Sequence, residues 1–394
     1  MKSRSRNRPS SGKRSVSIHG DSFGDIRTGD TRLEMPRTLW VSLVVLIATC
    51  LVASGGWLYL NWLSPKFAPN YRSQFLIDTA EGTDPRGLAA ITASLRKAVR
   101  NSGDRDALAL RSFGGECGAS DNTKQLVGFD VGNQQKITQA AARIRSGSRP
   151  TLLRGIVQAV EDFSEPFDRK ARQVNRVIVV TRHGVDACDD DIAFVEREIR
   201  DRVAAAELSL QFRIIGYQVP QEERSELDRI ATATKAPRPM FVKDAAELDR
   251  TLDWYSSVEP VLKGAQGIVD TLNNTVARVN TAVQAIENGR LDVADSTLSR
   301  ARKEVNGTDP QFDDLTDRAK STDARNVHDR AVRLRAKQKQ VVDAASELLK
   351  AARAESPLDP HRTAFQNAAE NYNDEANGMN KLLATLRGKL TKST

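Results

Sequence analysis

The chain has 394 residues, of which 39% are hydrophobic, 28% charged and only 5% aromatic, so most of it is soluble in character and long enough for two or three domains. Its net charge is +8, but residues 1–37 hold nine Lys/Arg against four acids, and the other 357 residues carry only +3. That distribution implies no folded basic surface and argues against nucleic acid as a partner.

The Ser/Arg/Pro/Gly-rich stretch 1–37 reads as a disordered tail. Residues 38–60 contain no charge and are long enough to cross a bilayer, which needs about 20 apolar residues. Trp40 stands near one end and Trp57, Tyr59 and Trp62 near the other, as interfacial aromatics do. The excess of Arg and Lys upstream places the N-terminus in the cytoplasm. A single-pass plasma-membrane protein is therefore expected, with its main domains extracytoplasmic and residues 61–71 as a linker. A cleaved signal peptide fits less well, because the tail is long and no small-x-small site ends the apolar run. A lipoprotein signal at Cys50 is disfavoured by Thr49 and by the apolar residues that follow; Cys50 then lies within the bilayer.

Residues 72–257 alternate strand-like and helix-like segments. Residues 74–78 form a short apolar run that stops at Asp78 and turns through Thr79, Ala80, Glu81 and Gly82, as a buried parallel strand does at a ligand-facing edge. A helix is predicted over 86–100, with Leu88, Ile91, Leu95 and Val99 on one face. A strand over 107–113 is turned by Gly114-Gly115-Glu116-Cys117-Gly118 and followed by a hairpin-like strand over 125–129. Helices are predicted over 134–144 and after Pro150-Thr151, the second carrying Leu153, Ile156, Val157 and Val160. Residues 177–181 are apolar and β-branched, as a central strand requires. A helix over 191–206, a strand over 208–216, a helix over 222–234, an edge strand over 240–242 and a closing helix over 244–255 complete the region. This alternation implies an α/β fold with a doubly wound, mostly parallel sheet.

The phrases FLIDT at 75–79, LRSFGGECG at 110–118 and VIVVTRHGVDAC at 177–188 resemble a von Willebrand factor A domain of the secreted or membrane-anchored bacterial kind, over residues 72–257. The resemblance implies a six-stranded, Rossmann-like sheet in which only the early hairpin strand is antiparallel. It also implies a divalent-cation adhesion site at the top of the sheet, built from an Asp-x-Ser-x-Ser run, a threonine before a later helix and an aspartate after the central strand. Hard Mg²⁺ needs such an oxygen set, with one position left for a carboxylate on the partner. Asp78 and Thr151 hold family positions here, but Ala80 and Gly82 replace both serines. His183 falls on the late aspartate position when Gly184 is matched to the family glycine, and Arg182 beside it repels a dication. The expectation is a degenerate site without a cofactor, the alternative being Mg²⁺ or Mn²⁺ held by Asp78 and Thr151 with a substitute oxygen from Glu81 or Asp186. Without a cation, Asp78 is expected to cap the following turn, satisfied by charge-assisted hydrogen bonds. Thr79, Glu81, Arg182, His183 and Asp186 make up the expected partner-binding edge.

Related bacterial domains carry a cysteine pair at the positions of Cys117 and Cys188. Both lie in turns after strands that would flank the first strand, about 10 Å apart by strand spacing, and an extracytoplasmic location permits oxidation. A Cys117–Cys188 disulfide is expected, with two reduced thiols as the alternative. Zinc is not expected, since His183 is the only imidazole nearby.

Beyond residue 257 strand-like runs vanish. Val261, Ala265, Ile268, Leu272, Val276, Val279, Val283 and Ile286 recur three and four apart until Asn288-Gly289. A second helix is predicted over 291–305 and ended by Asn306-Gly307-Thr308-Asp309-Pro310. A third runs through Val327, Leu334, Val341 and Leu348 to a stop at Ser356-Pro357 and Pro360, and a last one is marked by Phe365, Tyr372, Met379, Leu382 and Leu386. Residues 258–394 thus read as an all-α helical bundle or coiled-coil region, a module suited to spacing or oligomerisation.

No Gly-x-Ser-x-Gly elbow, His-Glu-x-x-His motif or phosphate loop is present. The expected function is non-enzymatic: a membrane-anchored adhesion or scaffold protein of the cell envelope that binds a protein partner through the sheet edge. The alternatives are a structural envelope protein assembled by its helical region, or a degenerate hydrolase.

Overall fold

The computed structural model describes residues 71–81, 86–163, 174–189, 191–205 and 209–391. The expected tail 1–37, membrane segment 38–60 and linker residues 61–70 lie outside the described residues, as does Gly82. Among the described residues, no helix is long and apolar enough to cross a membrane.

In chain order the first region comprises β1 (Tyr71–Asp78), α1 (Gly87–Asn101), β2 (Ala107–Phe113), β3 (Thr123–Val131), α2 (Gln134–Ala141), α3 (Leu152–Glu161), β4 (Val174–Thr181), α4 (Ile192–Ala205), β5 (Leu210–Tyr217), α5 (Arg224–Ala233), β6 (Met240–Val242) and α6 (Ala245–Asp253). The six strands form one sheet in the order β3-β2-β1-β4-β5-β6. Only β3 runs antiparallel, against β2. This is the arrangement that the resemblance implied.

β1 is buried along its whole length because it lies between β2 and β4 and both sheet faces are covered. Phe75 and Ile77 enter the core shared with Ile91, Leu95 and Leu248, while Leu76 enters the opposite core with Ile156, Val160, Val195 and Leu227. A run without polar alternation is the natural sequence for such a strand. The connection order reverses at the β1/β4 boundary, the switch point where ligand crevices form at the carboxyl ends of strands. Asp78 and Thr181, the last residues of these two strands, stand there.

The helical region comprises α7 (Glu259–Glu287), α8 (Leu291–Asn306), α9 (Asp309–Arg318), α10 (Thr322–Arg353) and α11 (Asp359–Thr391). The closing helix of the sheet region does not end before it: a π-helical turn, Trp254–Val258, carries α6 directly into α7. α9 corrects the sequence reading, which took Pro310 as the end of a helix. Pro310 occupies the first turn of a new one, where the missing N–H costs nothing. Pro360 has the same place in α11. Buried Phe312 and Leu315 give α9 too few apolar positions to announce a helix by periodicity.

α9 is also the element that locks the two regions together. Arg318, 1% exposed, donates Nη1 and Nη2 to the fully buried carboxylate of Asp106, at 2.9 and 2.7 Å, and Nε to Asp314 at 3.1 Å. Burial opposes its charge, but Asp106 and Asp314 outweigh burial and raise the Arg318 pKa. Its guanidinium lies 4.4 Å from the centre of the Tyr71 ring, and Arg176 lies at the same distance. Arg176 donates to the Ser73 hydroxyl and, at 2.5 Å, to the Tyr255 carbonyl. Nearby, Arg213 forms a two-pronged pair with Glu259 at the start of α7. All these contacts gather at the amino ends of the strands, the opposite end of the sheet from Asp78.

Replacing Arg318 by Met leaves a buried carboxylate unpaired, a loss of about 3–5 kcal/mol by equilibrium urea unfolding. Replacing Asp106 by Leu as well is expected to recover much of that loss, because an apolar pair of similar volume avoids the desolvation of both charges.

Candidate functional site

The site is built by the last residues of β1 and β4 and the turns that follow. Asp78 is completely buried. Its Oδ1 accepts from the Ala80 backbone N–H at 2.8 Å, closing the turn after β1. Its Oδ2 accepts from the Arg182 N–H at 2.9 Å and lies 2.9 Å from His183 Nδ1 and 3.0 Å from the Thr181 hydroxyl. That hydroxyl also lies 2.7 Å from the His183 carbonyl, so one proton serves two acceptors. The Arg182 guanidinium donates to the Ala80 carbonyl and packs against Gly87, where a Cβ would meet it at 2.6 Å.

Two glycines permit this closeness. Gly114 has φ of +124°, and a Cβ there would lie 2.8 Å from both the Ala80 nitrogen and the Thr79 hydroxyl. At Gly184 a Cβ would lie 2.0 Å from the Glu223 carbonyl oxygen, while its N–H donates to the Glu223 carboxylate at 2.7 Å. Glu223 is a site residue that the sequence did not signal, and so is Thr181, which sequence reading took only as the end of a strand.

The other expected residues have separate tasks. The Thr79 hydroxyl donates to the Phe113 carbonyl at 2.8 Å. The Thr151 hydroxyl donates to the Asn122 carbonyl at 2.8 Å and accepts from the Gly114 N–H at 3.0 Å. Asp186 accepts from Leu153 N–H at 2.7 Å, satisfying a free donor at the start of α3, and from Cys188 N–H at 2.9 Å. Burial pushes the Asp186 carboxyl pKa up against these two bonds. Thr79, Arg182 and Asp186 are buried, His183 keeps 15% of its side chain exposed, and Glu81 is exposed. The solvent-facing part of the edge is thus His183 and Glu81.

These residues do not fit a hard divalent cation. Both oxygens of Asp78 face internal donors, the proton and one lone pair of Thr151 are committed, and a guanidinium already covers the turn after Asp78. Among the described residues, no group of three or more His, Cys, Asp or Glu is placed to hold a metal. Burial draws His183 toward its neutral form, but the hydrogen bond and charge of Asp78, aided by Glu223, outweigh both burial and Arg182 and raise its pKa.

Cys117 and Cys188 form a disulfide with Cα atoms 5.3 Å apart. It joins the turn after β2 to the turn after β4 across the end of β1, which lies between those strands. Backbone bonds from Gly115 to Arg149 and from Ala187 to Pro150, at 2.9 and 2.8 Å, brace the same turns.

Sheet order, edge and extension define a doubly wound α/β domain continued by a helical bundle. Among solved structures the chain is similar to a von Willebrand factor type A protein from Catenulispora acidiphila, at 16% identity and a TM-score of 0.37, over 48% of this chain and 42% of that one. It is similar to the pilus adhesin SpaC from Lactobacillus rhamnosus GG at 11% identity and a TM-score of 0.38, over 48% and 30% of the two chains. It is also similar to the PilB minor pilin from Streptococcus sanguinis at 10% identity and a TM-score of 0.36, over 48% and 61%. The chain thus spans less than two thirds of each of these proteins. No protein-family model and no curated protein matches it.

Two measurements follow from this geometry. Opening the disulfide, by reduction or by Cys117→Ser with Cys188→Ser, frees a loop of 71 residues; the chain-entropy model sets the loss at about 4 kcal/mol, read from urea midpoints. A raised His183 pKa means that the folded state binds the proton more tightly than the unfolded chain. Its stabilising contribution is complete below the ordinary histidine value of 6.5 and is lost as pH rises through the higher folded value. Urea titrations across that window are expected to show stability falling with pH, and His183→Gln is expected to flatten the slope.

Proposed function

We propose that this chain is a non-enzymatic interaction protein of the cell envelope, anchored in the plasma membrane by residues 38–60, that binds a protein partner at the Asp78 edge without a bridging cation. The observation that carries this reading is the internal satisfaction of Asp78: four donors surround the buried carboxylate. What the edge presents outward is one imidazole and one carboxylate, His183 and Glu81. These are groups for pairing with a polar or charged partner surface. The disulfide and the backbone bonds around it give that surface the rigidity that a specific interface favours.

The test is cross-linking of the full chain in intact cells, with and without a divalent-metal chelator, followed by comparison with Glu81→Lys and His183→Glu variants. The expected result is a cross-linked partner that survives chelation and is lost in the two edge variants. A partner lost on chelation, or held equally by both variants, contradicts the proposal.

A further inference from the structure

We infer that the seam between α8 and α10 is a docking groove for an acidic amphipathic helix of a partner protein. The groove exists because α8 ends at Asn306 after 16 residues and α9 then turns toward the sheet. The face of α10 opposite the last turn of α8 is left uncovered. A cavity of about 510 Å³ opens there, lined by Arg302 and Val305 of α8 and by Val332, Arg335, Lys339 and Val342 of α10. A second hollow of about 210 Å³ shares Arg302 and continues along the seam between Leu298 and Leu349, with Lys350 at its side.

Length decides against a small ligand. From Val332 to Arg353, the lining residues furthest apart on α10, is 21 residues, or ~32 Å at the helical rise, about six turns. Two hollows in line suit side chains that recur along one face of a docked helix, the helix-in-groove mode of recognition.

Charge decides the sign of the partner. Arg335 is already paired with Asp309, and Arg353 with Asp295. Among the described residues, Arg302 meets only the Ser346 hydroxyl, at 2.5 Å. Lys339 has no carboxylate partner among the described residues, and Lys350 reaches Glu347 only at 3.7 Å. Two cations without a carboxylate partner among the described residues, Arg302 and Lys339, and Lys350, paired with Glu347 at 3.7 Å, therefore stand along an apolar floor whose lining includes one opposing carboxylate without a partner among the described residues, Asp343. Val332 is 44% exposed, among the few large apolar side chains left open to solvent among the described residues. A helix with apolar residues three and four apart and acids on its flanks covers Val332 and neutralises Arg302, Lys339 and Lys350 together.

The probe is a synthetic helix of about 21 residues with leucines on one face and glutamates on both flanks, matched to the groove by length. Fluorescence anisotropy with the full chain is expected to show saturable one-to-one binding that weakens as salt is raised. Lys339→Glu combined with Arg302→Glu is expected to weaken binding by about tenfold or more. A charge-reversed peptide, lysine for glutamate, is expected to bind that variant and not the native chain. Both substitutions are on exposed side chains; if circular dichroism shows the pair to be misfolded, Lys339→Gln alone is used and a smaller loss in the same direction is expected. Absence of saturable binding, or equal binding of both peptides, overturns the inference. So does binding of anionic phosphatidylglycerol vesicles in place of the peptide, or self-association of the chain that the Lys339 and Arg302 changes abolish while the peptide fails to bind.

Discussion

The buried carboxylate of Asp78 is the constraint around which the upper edge of the sheet is arranged. A carboxylate with no solvent contact must be matched by donors, because an unmatched one costs several kcal/mol. Here the donors come from the turn after β1 and from the three residues Thr181, Arg182 and His183 that close β4. Their convergence fixes the two central strand ends against each other. The same edge holds the glycine at 114 with positive φ, the glycine at 184 under Glu223, and a disulfide that crosses the end of β1.

The other end of the sheet obeys a different logic. Arg176 and Arg318 are both fully buried and both lie against Tyr71, a concentration of positive charge that Asp106, Asp314 and Glu259 offset. Burial lowers the pKa of Arg176, whereas the paired carboxylates raise that of Arg318. The consequence is mechanical. The bundle is joined to the sheet by an unbroken helical path from α6 into α7 and by an ion pair from α9. The Asp78 edge, at the other ends of the strands, stays clear of this junction.

Much of this fold was legible in the sequence, since a parallel sheet buried on both faces leaves runs such as those ending at Asp78 and Thr181, and amphipathic helices leave apolar residues three and four apart. α9 was not legible, because its two buried apolar residues make no stripe and its proline sits where prolines commonly end helices. The cysteine pair was found because family resemblance and strand order pointed to the same two turns. Glu223 reaches the site through its carboxylate, which accepts from the Gly184 N–H, and Asn122 through its carbonyl, which accepts from the Gly114 N–H and the Thr151 hydroxyl; local sequence carries no mark of such contacts. Asp186 was expected on the partner-binding edge, and it is buried as the acceptor for the α3 start, a role set by the turn that follows β4. The ion pair between Asp106 and Arg318 spans 212 positions and joins two ordinary-looking charged residues, so only the three-dimensional structure could pair them.

The central claim is that the carboxylate at the sheet edge is consumed by the protein's own donors. Electron paramagnetic resonance of the full chain titrated with Mn²⁺ tests it most directly, because bound and free Mn²⁺ give distinct signals. No saturable site that depends on Asp78 is expected. A one-to-one Mn²⁺ site in the native chain that disappears in Asp78→Ala would contradict it.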